Sequence, residues 1–81
     1  MNEMEILKKR VKIFFDLDTP CHIITKSGTW INGYIQDVSD EFFIVIDRKD
    51  GLLPIFYPEV DKFEFFVGDL STLKRELEDG K

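Results

Sequence analysis

The stretch from Gly28 to Asp47 constrains the fold more than any other part of the chain. Gly28 closes a Ser-Gly turn, where the backbone needs a positive φ. Gly33 falls inside a strand pattern, and a missing side chain there lets a strand bend sharply. An apolar strand, Phe42 to Ile46, follows after the short polar connection Ser39-Asp40-Glu41. Glycines at these two places, between strands this short, predict a small and strongly curved barrel.

The rest of the chain supplies matching elements. Asn2 with Glu5 three residues on reads as a capping box opening a helix. Met4, Leu7, Val11 and Phe14 then recur at spacings of three and four, which gives one apolar stripe. The pattern predicts a helix over residues 3–15, stopped before Pro20 because the residue preceding a proline is pushed out of the α region. From Cys21 the period becomes two: Cys21, Ile23 and Thr25 alternate with His22, Ile24 and Lys26.

A long second strand runs from Thr29 to Val38, with Ile31 and Ile35 opposite Trp30 and Tyr34. The third strand, Phe42 to Asp47, is apolar on both faces, which predicts something packed on each side of it. Asp50-Gly51 marks a tight turn into a fourth strand, Leu52 to Tyr57, and Pro58-Glu59 a short corner into a fifth, Val60 to Val67. Leu70, Leu73 and Leu77 predict a short C-terminal helix or tail over 69–79. The expected organisation is one domain over 1–81, all-β in its core, with the barrel over 21–67.

Composition narrows the function classes. A chain of 81 residues buries only about 60% of its unfolded surface, so a core rich in its eight Phe matters. Apolar surface left over would suit an interface. A single cysteine, Cys21, excludes an internal disulfide and a cysteine-based metal site. His22 has no second histidine or cysteine at ligand spacing, so no zinc site and no cofactor are expected. The charged N-terminus and the absence of any apolar run near the ~20 residues of a membrane span predict a soluble, cytoplasmic protein with no membrane partner.

A net charge of −5 argues against a general nucleic-acid coat. Lys8, Lys9, Arg10 and Lys12 nevertheless form one basic cluster on the predicted helix. No Ser–His–Asp arrangement and no glycine-rich phosphate loop is present, so no enzyme is expected.

A helix followed by five short strands with this glycine spacing resembles the Sm/LSm family of RNA-associated barrels, bacterial Hfq and archaeal Sm-like proteins included. Gly28, Gly33, Ile35, Val38, Phe42, Ile44, Ile46 and Asp47 fall in the register of its first motif without a gap. Ile55 to Phe66 has the shape of its second, two strands joined by a tight corner. The resemblance implies an Sm-like, SH3-type barrel, a homo-oligomeric ring of six or seven subunits closed by pairing the fourth strand with a neighbour's fifth, and RNA as ligand.

The sequence departs from the family where RNA is held. Ser39 takes the place of the RNA-contacting Asp, with Asp40 next to it, and Phe43 takes the place of the base-contacting Asn. Tyr57-Pro58-Glu59 stands where an Arg-Gly or Lys-His pair is usual. The consensus pocket therefore does not carry over.

Candidate RNA contacts are Ser39, Asp40 and Phe43 at one corner, Tyr57 and Pro58 at the other, and Lys8, Lys9 and Lys12 on the helix. Several have plainer alternatives: packing against the N-terminal helix or a neighbouring subunit for Phe43, similar packing for Tyr57, and a solvated helix face for the lysines. The rival function is a protein-interaction or assembly module that has lost the RNA pocket. Pro54 adds an open question: if its missing N–H faces a neighbouring subunit, ring closure loses a hydrogen bond, and if it faces the outside, nothing is lost.

Overall fold

A computed structural model describes residues 2–47 and 49–66. The short C-terminal helix expected over 69–79 lies outside the described residues. Helix α1 spans Glu3–Asp16, and Asn2 caps it by accepting a hydrogen bond from the Glu5 N–H at 2.8 Å. It ends where Asp18 turns left-handed, at φ 51°, a conformation Asp tolerates better than most residues. The Thr19 N–H then closes on the Phe14 carbonyl at 2.9 Å.

Five antiparallel strands follow: β1 (Cys21–Thr25), β2 (Trp30–Val38), β3 (Phe42–Asp47), β4 (Gly51–Phe56) and β5 (Val60–Phe65). A 3-10 turn over Tyr57–Glu59 joins the last two. The sheet order is β4-β3-β2-β1-β5, so β4 and β5 are its two edges. Gly28 and Gly51, at φ 90° and 76°, occupy the hairpin turns as their positions require.

The sheet is curled. Three strand spacings separate β3 from β5, about 14 Å if the sheet were flat. The rings of Phe43 on β3 and Phe63 on β5 nevertheless have centroids 6.2 Å apart. Gly33 permits this curl by letting β3 approach: a Cβ there would sit 1.9 Å from the Ile46 carbonyl oxygen. A register shift between Ile35 and Asp37 adds a second bend in β2.

Inward residues from all five strands meet the buried stripe of α1. Val11 and Phe14 of the helix pack with Cys21, Ile23, Ile31, Ile35, Val45 and their neighbours. Met4 and Leu7 complete the stripe at the margin of this core. Burial pushes the Cys21 thiol up to about 12, so it is an inert core group at neutral pH.

β3 differs from the sequence reading on one side. Phe43, Val45 and Asp47 point into the core, whereas Phe42, Ile44 and Ile46 are only half-buried. The apolar outer face is thus covered only partly by the described residues. β4 ends one residue earlier than expected, at Phe56, because Tyr57 opens the 3-10 turn.

The buried carboxylate of Asp47 fastens the β3–β4 turn. Oδ2 accepts the Lys49 and Asp50 N–H groups, both at 2.9 Å, and Oδ1 accepts the Asn32 N–H at 3.2 Å. Asp47→Ala removes all three acceptor contacts and is expected to cost about 2 kcal/mol in urea unfolding. Asp47→Asn keeps one acceptor oxygen and should cost less than Asp47→Ala.

The β3–β4 ladder also settles the orientation of Pro54. Antiparallel pairs alternate between hydrogen-bonded and non-hydrogen-bonded. The Tyr57 N–H bonds to the Glu41 carbonyl at 3.3 Å, in the same register that pairs Phe42 with Phe56 and Ile44 with Pro54. Counting along the ladder makes Ile44–Pro54 a non-bonded pair. The proline nitrogen therefore faces the open edge of the sheet, and the internal ladder loses nothing.

Candidate nucleic-acid interface

Three segments distant in sequence meet beside Tyr57. The β2–β3 corner is closed by the Ser39 N–H on the Phe42 carbonyl at 2.8 Å. Tyr57 is tied to that corner twice, through its N–H to Glu41 and through its hydroxyl, which donates to the Ser39 carbonyl at 2.8 Å. Its side chain is buried, and burial followed by the charge of Asp40 raises its pKa. The phenol therefore stays protonated at neutral pH and keeps donating. From α1, the Lys8 ammonium lies 5.4 Å above the centre of the Tyr57 ring.

These contacts frame an open cavity of about 350 Å³. Met4 and Lys8 of α1 form one wall, Asp40 and Glu41 a second, and Phe56, Tyr57 and Pro58 the rest. Most of the lining is apolar, with one cation and two carboxylates at hand. That volume falls within the range of small-ligand pockets.

The expected contacts sort into three groups. Asp40, Tyr57, Pro58 and Lys8 line the cavity, and Ser39 contributes the carbonyl that holds Tyr57. Lys9 and Lys12 do not line it; Lys12 instead reaches Asp16 at 3.6 Å, an exposed pair one turn along the helix. Arg10 points elsewhere again, 5.6 Å above the Phe63 ring. The basic cluster of the sequence is therefore split among separate neighbours.

Phe43 must be corrected. It is fully buried, between Tyr57 at 5.3 Å and Phe63 at 6.2 Å, and no ligand can stack on it. The packing alternative holds, with the core of its own barrel as the partner. Sequence reading also missed Phe56, which is 46% exposed and forms part of the cavity wall. Its signal was the alternation of β4, where Ile55 points inward and Phe56 outward.

On the opposite flank, His22 is bonded through Nδ1 to the Asn32 side-chain oxygen and meets the edge of Trp30 at 5.3 Å. This is a cross-strand contact of β1 and β2, and among the described residues no three metal-ligating side chains gather. No described helix is long and apolar enough to cross a membrane.

The helix, the five antiparallel strands and their curl define an Sm-like fold. A crystal structure of Hfq, the pleiotropic translational regulator, superposes on it with a TM-score of 0.63 at 14% sequence identity. The match covers 72% of this chain and 95% of that one. No family model and no curated protein matches the sequence.

Proposed function

We propose that this chain is a non-catalytic, cytoplasmic Sm-like module that holds single-stranded RNA as a homo-oligomeric ring. One observation carries the reading: residues from α1, the β2–β3 corner and the β4–β5 corner converge on one cavity beside Tyr57. An unstacked base would lie against Phe56, Met4 and Pro58, with Asp40 and Glu41 as acceptors for its N–H groups. Lys8 would meet a flanking phosphate. Each contact is weak, and a ring multiplies them through effective concentration.

The test is fluorescence anisotropy with oligo-U and oligo-A at low and physiological salt. Binding should saturate and weaken as salt rises. Phe56→Ala should lower affinity by roughly five- to one-hundred-and-sixty-fold, the range for loss of one stacked base. Lys8→Glu should weaken binding and flatten the salt slope; an unchanged slope would remove Lys8 from the interface.

A second reading, a protein-assembly module, is favoured by the two carboxylates beside Lys8 and by the half-buried outer face of Ile44 and Ile46. Absence of RNA binding up to high micromolar protein would select it.

A further inference from the structure

The two sheet edges are built differently. On β4 the outward backbone groups belong to Leu52, Pro54 and Phe56, by the same alternation that turns the proline nitrogen outward. On β5 the Phe66 N–H bonds to the Pro20 carbonyl at 3.3 Å, which makes Phe63 and Phe65 the residues with outward groups. Both of these have an N–H to offer. β4 therefore presents a carbonyl but no donor at its centre, whereas β5 presents donors along its length.

Edge strands are usually blunted with charge, proline or a bulge. β4 reads Gly-Leu-Leu-Pro-Ile-Phe, without a charge, and both Leu52 (60%) and Phe56 (46%) are exposed beside its edge. Pro54 is the one blunting device in the strand. Its effect depends on what approaches. A second β4 laid antiparallel brings a second proline: in any register that overlaps Pro54, two donors are missing. A β5 edge brings full donors, and only the proline's own bond is missing. Phe65, 63% exposed, flanks the β5 edge and supplies the apolar surface to cover Leu52 or Phe56.

We infer that Pro54 is an edge filter, which disfavours pairing of β4 with the β4 of a second copy and leaves it open to that copy's β5. Such a seam is head-to-tail and closes into a ring when the rotation between copies closes, whereas β4–β4 pairing makes a two-fold dimer. The filter rests on the self-association proposed above and adds the reason the chain avoids the dimer.

The experiment is native mass spectrometry of the full chain and of Pro54→Val, at matched concentrations, with circular dichroism to establish folding. Valine suits a strand, and Pro54→Thr is the second variant should valine disturb the fold. Wild-type chain is expected as closed species larger than a dimer. Pro54→Val restores two hydrogen bonds to a β4–β4 contact and one to a β4–β5 contact, roughly thirtyfold against roughly fivefold in association. Dimers and open aggregates should therefore appear in Pro54→Val, and a charge added by Leu52→Lys should suppress them. Rings in both proteins with the same distribution would overturn the filter and leave the ring standing. A wild-type monomer, or a wild-type assembly that stops at a dimer, would overturn both.

Discussion

Gly33→Ala is expected to cost about 3 kcal/mol and to lower the melting temperature by roughly 12 °C or more. The added Cβ would lie 1.9 Å from the Ile46 carbonyl oxygen and 2.9 Å from its carbon. Both atoms are backbone, so no side-chain rotation relieves the clash. Gly33 sits between Cys21 on β1 and Asp47 on β3, so any shift is shared by two ladders. β2 and β3 must separate, and the curl that brings Phe43 to Phe63 opens with them. Thermal unfolding followed by circular dichroism reads the effect directly. A melting temperature within a few degrees of wild type would show that β3 can move away without loss, and that the bend does not depend on this glycine.

The architecture was legible for a physical reason. Strand and helix periods, turn glycines and the Asn2 cap are local signals, and each is obeyed within a residue or two. The cavity was legible in part, because corner residues are brought together by any fold with this strand order. Tyr57 and Pro58 follow that rule.

What stayed hidden was side-chain direction at places where the alternation gave no contrast. Phe42 and Phe43 are chemically identical neighbours, and only the curl decides that Phe43 enters the core. The helix lysines are adjacent in sequence, yet a helix turns each residue by about 100°, which sends Lys8 to Tyr57 and Arg10 to Phe63. Pro54 could not be oriented from sequence because ladder parity depends on pairing, here fixed by the Tyr57–Glu41 hydrogen bond.

Phe43→Ala and Phe56→Ala separate core from interface on the same hairpin. Phe43 is fully buried, faces Ile55 across the ladder and packs between Tyr57 and Phe63. Truncating it leaves a cavity at the centre of the barrel, and such losses cost about 3–5 kcal/mol. For a domain whose total stability is of the order of 5–15 kcal/mol, that is a large share. The melting temperature should fall by roughly 12 °C or more, while RNA affinity per folded molecule, measured well below the transition, stays within about twofold.

Phe56→Ala should show the reverse pattern. Its side chain is 46% exposed and its ring contact is with the half-buried Phe42 at 5.5 Å, so stability changes little while RNA affinity drops. The pair of readouts matters because Tyr57 touches both systems, with its ring against Phe43 and at the cavity wall. If Phe43→Ala lowered affinity of the folded protein as strongly as Phe56→Ala, Tyr57 would be relaying core packing into the cavity. The cavity would then be a soft extension of the core rather than a preformed base site.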